Sequence, residues 1–216
     1  MGTDASRNDR GQRGRDQESG RRQGFAFVLL ALTLGSPAVL ARPAPRWAPG
    51  EPVLVWIDPR DATPLRRDLV ARAAKTWERA GAGTVRIEMA DTPQPRGIRV
   101  RFVSGQTNFG EALPEVDRPS GFIARADVAL ALDPPGDALH KALVLYLTAL
   151  HEMGHALGLV HTDDFATIMY RFQRPGDPER YFLRYRKQLK GLEDIGGEEA
   201  SGLSPRDVAA LRRLYP

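Results

Sequence analysis

The sequence predicts one α+β, or mixed α/β, domain, and three observations lead to this fold class. Short apolar runs with strand spacing and longer runs with helical spacing follow one another along the chain. The 216 residues are enough for one domain with a substantial core. Cysteine is absent, so packing and any bound metal must stabilise the fold in place of disulfides.

Strands and helices are predicted from local spacing and from capping residues. The predicted strands are residues 53–57, 84–89, 98–103, 121–125 and 128–132, and residues 104–119 are predicted to form a loop. The predicted helices run over residues 64–81 after Thr63, over residues 138–157 after Asp137, and from Pro205 after Ser204. Asp207 follows Ser204 by three residues, which is the spacing of a capping box.

The charge argues against a nucleic-acid partner. The formal net charge is only +4, and six Arg against four acidic residues fall within residues 1–41. The remaining chain therefore carries about as many acids as bases, whereas nucleic-acid binding needs basic residues concentrated on one face.

The first 41 residues have the layout of a signal peptide. Residues 1–24 are polar and contain arginine, residues 25–34 form a short apolar run, and the small residue Ala41 offers a cleavage site. Residues 42–52 are then a proline-rich linker, and the cleaved protein is expected to be secreted or extracytoplasmic, without stable membrane association. The alternative is a membrane anchor formed by uncleaved residues 25–41, since that stretch is almost entirely apolar.

The most informative segment holds three of the four histidines within eleven residues. His151 and His155 are four residues apart on a predicted helix, so both rings project from one face and can bind one ion. Gly158 allows the chain to leave the helix and present His161 as a third ligand. Three protein ligands leave one tetrahedral position open, which is typical of a catalytic Zn²⁺ site.

Glu152 is the expected general base at this site. It follows the first ligand directly, so it points too far around the helix to share the ion but can reach a water molecule beside it. The sequence therefore predicts a zinc endopeptidase that acts on a protein or peptide substrate. Two other functions remain open, namely a zinc-bound binding or envelope protein without activity and a zinc hydrolase of non-peptide amides.

The segment from His151 to His161 resembles the metzincin consensus HExxHxxGxxH, and Ile168-Met169-Tyr170 resembles the Met-turn that follows it. Within that group the chain is most similar to matrixins, because Met169 follows His161 by eight residues. The resemblance covers most of residues 53–216, and its specific motifs are the histidine stretch and the Met-turn. It implies a twisted, mostly parallel five-stranded sheet with three helices and a cleft over the zinc, in which Met169 forms an apolar floor below the histidines without binding the ion.

The chain also departs from the matrixin pattern. Matrixins maintain latency through a propeptide cysteine, which this sequence lacks. Residues 104–136 contain no histidine, so the second, structural zinc site of many matrixins is not expected. Bound Ca²⁺ is common in the family; Asp117, Asp127 and Asp133 are candidate ligands, and none of them is assigned.

Two further segments are expected to border the cleft. The resemblance places an edge strand for an extended substrate at Gly121, Phe122, Ile123, Ala124 and Arg125. Residues 171–190 contain seven basic residues, and by position they should wall the side of the cleft beyond the scissile bond. This basic segment is either a solvated loop or helix face, or a surface that favours anionic partners. The sequence gives no indication of the oligomeric state.

Overall fold

A computed structural model describes residues 44–105 and 109–216, and its centre is a five-stranded sheet. The strands are β1 (Val53–Ile57), β2 (Ile87–Ala90), β3 (Gly97–Val103), β4 (Gly110–Val116) and β5 (Ile123–Ala131). Their order across the sheet is β2-β1-β3-β5-β4, with all neighbours parallel except the antiparallel pair β4 and β5. The signal-peptide prediction concerns residues 1–41, which lie outside the described residues.

Four α-helices accompany the sheet in the described part of the chain. They are α1 (Pro64–Gly81), α2 (Ala138–Ala156), α3 (Asp177–Arg186) and α4 (Pro205–Leu214). The hydroxyl of Thr63 and the carboxylate of Asp137 accept backbone N–H bonds at the starts of α1 and α2, as their positions before the helices predict. Helix α1 packs against α2 and α4, and α2 also packs against β4 and β5. None of the described helices combines the length and the apolar character that a membrane span requires.

The fold class is confirmed, because a mostly parallel five-stranded sheet combines with helices that lie after β1 and after β5 in the chain. The structure adds one helix to the expected three. Helix α3 lies within the basic segment 171–190, where Gly176 at φ 79° precedes it and where Asp177 and Glu179 occupy its first turn. Acidic residues at a helix N-terminus and arginines in its last turn both interact favourably with the helix dipole, and this favours a helix here.

The predicted strand pattern is wrong between residues 104 and 132. Residues 110–116, predicted as a loop, form β4 at the edge of the sheet, and residues 121–125 do not form an edge strand. Of the five residues predicted there, Gly121 and Phe122 precede β5, while Ile123, Ala124 and Arg125 begin it. Strand β5 lies between β3 and β4, and Ile123 is fully buried and donates its N–H to the Arg46 carbonyl over 2.8 Å.

Part of the predicted linker packs against the domain. Trp47 is buried and its indole N–H donates to the carbonyl of Ala156 over 2.8 Å, at the end of α2. The Tyr215 hydroxyl donates to the Leu157 carbonyl over 2.7 Å and accepts the backbone N–H of Trp47 over 3.2 Å. The segment before β1 and the residue after α4 therefore meet under the end of α2.

Candidate metal centre and active-site cleft

Helix α2 presents two of the three histidines to the cleft from its last turns. Leu143, Leu147 and Leu150 are buried on the side that packs into the core. His151 and His155 lie one turn apart on the same face, as the i, i+4 spacing predicts. The burial of this apolar helix therefore fixes the direction in which both rings point.

Gly158 turns the chain back so that His161 joins them. Its φ is 98°, and the helix ends with Gly158 N–H donating to the His155 carbonyl over 2.8 Å and Leu159 N–H donating to the Gly154 carbonyl over 2.9 Å. This pair of bonds is a Schellman motif, which favours glycine at the left-handed position. A Cβ atom at position 158 would also overlap the Pro45 carbonyl oxygen.

Replacing Gly158 with Ala is expected to destabilise the domain by more than the same change at Gly83. Both glycines have positive φ, but a Cβ at position 83 meets no atom within 4 Å. Left-handed backbone costs alanine about 1–2 kcal/mol at either position, and the overlap with Pro45 adds to this only at Gly158. Urea denaturation of the two variants measures the difference, and equal losses of stability would contradict this account of the turn.

The Nε2 atoms of the three histidines converge on one point. The distance between His151 and His155 is 3.2 Å, that between His151 and His161 is 3.2 Å, and that between His155 and His161 is 3.1 Å. The Nδ1 atom of His151 lies 2.6 Å from the Ile168 carbonyl, and that of His155 lies 2.9 Å from the Leu159 carbonyl. A carbonyl accepts only, so both rings carry their proton on Nδ1 and leave an Nε2 lone pair free.

This arrangement fits a metal ion. Burial lowers the pKa of His151 to about 4 and also lowers the pKa of His155 and of His161, so all three rings are neutral at pH 7. Three nitrogens at these separations can all lie about 2.0–2.1 Å from one ion, the usual Zn–N bond length. In the described residues they are the only group of three or more metal-ligating side chains within reach of one ion.

The candidate calcium ligands do not come together. The carboxylate of Asp117 accepts the Ser120 hydroxyl over 2.5 Å, Asp133 pairs with Lys141 over 2.8 Å, and Asp127 lies 3.4 Å from Arg125. Each carboxylate therefore has a separate local partner.

Glu152 lies beside the histidines in the wall of a cavity of about 500 Å³. Only 7% of its surface is exposed. Burial, and next the negative charge of Glu111, raise the pKa of Glu152 to about 7. A bound cation would lower this pKa again, because an opposite charge favours the ionised carboxylate.

Met169 packs against α2 at Gly154, which lies between His151 and His155 in the helix. It is buried, and a Cβ atom at Gly154 would overlap its sulfur. Its carbonyl accepts the N–H of Thr162, the residue after the third histidine, over 2.8 Å. The thioether therefore lies against the turn of α2 that contains Gly154, and Met169 is hydrogen-bonded to the loop that carries His161.

Asp207 supports the site through a long-range hydrogen bond that the sequence did not predict. It caps α4 by accepting the Ser204 N–H and hydroxyl over 2.8 and 2.7 Å, as the capping box predicts. The same buried carboxylate also accepts the N–H of Ile168 over 3.0 Å, across 39 residues. Since the Ile168 carbonyl is the partner of His151, helix α4 helps to hold the residue that orients this histidine.

Aromatic side chains form the wall of the cavity that faces α3. The ring of Phe172 lies 5.8 Å from that of His151, and Phe172 has φ 43°, which is rare for a bulky residue. Phe182 of α3 contacts Phe109 edge to face with centroids 5.2 Å apart. The fully buried Asp177 accepts the hydroxyl of Tyr170 over 2.8 Å and also pairs with Arg180, which fixes the start of α3 beside the cleft.

Several cations of the basic segment already have acidic partners. Arg171 pairs with Asp163 over 3.1 Å, and Arg186 pairs with Asp137 over 2.8 Å. The Arg184 guanidinium lies over the rings of Phe165 and Tyr181, at 5.3 and 4.6 Å from their centroids. Several positive charges of the basic segment therefore interact with acidic or aromatic side chains of the same domain.

Comparison with known proteins assigns the family. The matrixin (Peptidase M10) family model matches residues 61–188, more than half of the chain. Human matrix metalloproteinase-16 is 29% identical over 157 residues, which are 65% of this chain and 25% of that protein. Metalloendoproteinase 1 of Glycine max is 29% identical over 180 residues, which are 74% of this chain and 54% of that protein. The match therefore spans between a quarter and about half of these relatives, and the chain belongs to the matrixin family of metalloproteases.

Proposed function

We propose that the chain is an exported, zinc-dependent endopeptidase. The observation that carries this proposal is the convergence of three neutral imidazole nitrogens, 3.1–3.2 Å apart, next to a buried carboxylate in the same open cleft. His151, His155 and His161 would hold the ion, and Met169 would support them. When bound there, zinc supplies Lewis acidity, which polarises a carbonyl group and makes water more acidic.

Glu152 is the proton carrier in this proposal. Its carboxylate accepts a proton from the water that attacks the scissile carbonyl, and it then donates the proton to the amine that leaves. The apolar wall around it limits competing water, which favours proton transfer at a defined carboxylate oxygen. Burial and the charge of Glu111 raise the pKa of Glu152, and a bound cation opposes this shift, which favours the ionised carboxylate that accepts the proton.

Strand β4, and not residues 121–125, would bind the substrate backbone. It forms one edge of the sheet, and Phe109 to Ala112 line the cavity beside the histidines. An exposed strand edge offers N–H and C=O groups to an extended peptide. Arg171 and Phe172 line the cavity as well, so it would hold an extended chain near Glu152.

Export would rest on the N-terminal residues. The apolar run over residues 25–34, with small residues up to Ala41, supports cleavage of a signal peptide and release outside the cytoplasm. The other possibility within this proposal is that residues 25–41 anchor the enzyme to the membrane. Molecular mass and membrane fractionation of the expressed protein distinguish the two.

The purified chain is expected to contain about one zinc ion, because three imidazoles complete one site with one open position. It should digest reduced, carboxymethylated lysozyme, and a chelator should abolish both the bound zinc and the digestion. Elemental analysis and mass spectrometry of the products make these measurements. A metal-free protein with full activity would refute the proposal, and a zinc-bound protein that cleaves nothing would indicate a binding function.

A further inference from the structure

The hydrogen-bond pattern of β4 shows which of its backbone groups face the open edge. The Phe109 carbonyl accepts the Ala131 N–H over 2.8 Å, so this residue pair is bonded. Bonded and non-bonded pairs alternate in an antiparallel ladder. The register Gly110↔Leu130, Ala112↔Val128 and Pro114↔Ala126 therefore consists of non-bonded pairs. The backbone groups of Gly110, Ala112 and Pro114 consequently point away from β5, towards an edge with which no described residue pairs.

Gly110 marks the point of this edge that lies next to the chemistry. A Cβ atom at this position would lie 2.6 Å from Thr148 Cγ2, 2.8 Å from Glu152 Cγ and 3.0 Å from Glu152 Oε1. The strand can approach the catalytic carboxylate this closely only because the residue has no side chain. A peptide paired with β4 would therefore have its scissile bond opposite Gly110.

Pro114 lies four residues further along the same edge and has no N–H. Gly110 and Ala112 each offer a donor and an acceptor to a paired peptide, whereas Pro114 offers its carbonyl alone. Beyond it, Glu115 forms a bonded pair with Arg125 within the sheet, and the register then shifts between Glu115 and Val116. Neither Pro114 nor Glu115 therefore presents a backbone N–H to the open edge.

We propose that Pro114 ends the row of backbone N–H groups that β4 donates to the substrate. This inference rests on the proposed peptidase function and makes it more specific: on the side of the scissile bond that runs towards Pro114, β4 donates N–H bonds to the backbone of an extended substrate only as far as Ala112. Lengthening a peptide on that side beyond the residue that pairs with Ala112 adds no backbone hydrogen bond from a β4 donor. The other side of the scissile bond is not subject to this limit.

The test restores the missing donor with Pro114→Ala in the full chain with zinc bound. The probes are peptides built around the bond that the parent cleaves fastest in reduced, carboxymethylated lysozyme. They are lengthened by one residue at a time on either side of that bond. The variant is expected to raise kcat/KM by about 2- to 10-fold, the effect of one added hydrogen bond, for probes lengthened on one side only. When the parent and Pro114→Ala both also carry Glu152→Gln, the Kd of the same probes is expected to fall by the same factor. This measurement separates binding from activity.

Two controls make the result specific to the donor. Leu113→Ala alters an exposed neighbour whose backbone is bonded to β5, and it should give no gain. A probe with a reduced CH₂–NH bond in place of the accepting carbonyl should also lose the gain. If the parent cleaves peptides and Pro114→Ala changes neither kcat/KM nor Kd for any length, the inference fails while the peptidase function stands. If the parent neither cleaves nor binds the unfolded lysozyme, both fail.

Discussion

The change from Glu152 to Gln is expected to lower kcat/KM for peptide hydrolysis by about 10²–10⁴-fold, the usual contribution of a general base. Glutamine keeps nearly the same volume and polarity in the cavity wall but cannot accept the proton of the attacking water. Zinc content should remain near that of the parent, because the three histidine nitrogens converge without help from residue 152. Peptide kinetics and elemental analysis on the same samples check both statements.

Glu111→Gln is the matched control for this variant. Glu111 lines the same cavity and its charge raises the pKa of Glu152, but it is exposed on β4. Removing that charge lowers the pKa of Glu152, so the acidic limb of the kcat/KM profile should move to lower pH while the maximal rate changes little. Activity of Glu152→Gln within a few-fold of the parent would require another base, and a shift of the limb to higher pH would contradict the electrostatic link.

Trp77→Ala is expected to cause the largest loss of stability among single core substitutions, about 3–5 kcal/mol of unfolding free energy. The Trp77 side chain is fully buried between α1 and α2, and its indole N–H donates to the Leu150 carbonyl over 2.8 Å. Removing the ring leaves a cavity directly behind the helix that carries His151 and His155. Since domains of this size are stable by only about 5–15 kcal/mol, much of the native stability would be lost.

Trp56→Ala provides the comparison for a ring of the same size. Trp56 lies on β1 between the buried residues Val55 and Ile57, but its own side chain is only half-buried. Its removal should cost clearly less than that of Trp77 in urea denaturation followed by circular dichroism. Equal losses of unfolding free energy would contradict the larger contribution expected from the buried Trp77.

The parts of the fold that depend on short-range pattern were predictable. Caps and apolar spacing predicted α1, α2 and the start of α4 to within about a residue. Three histidines within eleven residues indicated the candidate metal site without any knowledge of the fold. The resemblance to matrixins, which rested on that stretch and on Met169, is confirmed by the family match.

Strand β4 could not be predicted, and the reason is physical. A strand at the edge of a sheet can lack a regular alternation of apolar and polar residues. It also tolerates proline where the backbone N–H would face solvent. Gly110, Glu111 and Pro114 therefore resemble a loop, while the apolar start of β5 resembled a separate strand. Neither residues 121–125 nor the contact between Asp207 and Ile168 could be placed correctly, because both depend on neighbours distant in sequence.

The contact between Trp47 and Tyr215 has a consequence for the order of folding. These residues are 168 positions apart, and together they contact the carbonyls of Ala156 and Leu157 just before the turn to His161. Closing so long a loop is entropically expensive and kinetically late compared with forming a local helix. His151 and His155 can therefore be aligned as soon as α2 forms, whereas the end of α2, from which the chain turns towards His161, gains these contacts only when both ends of the domain meet.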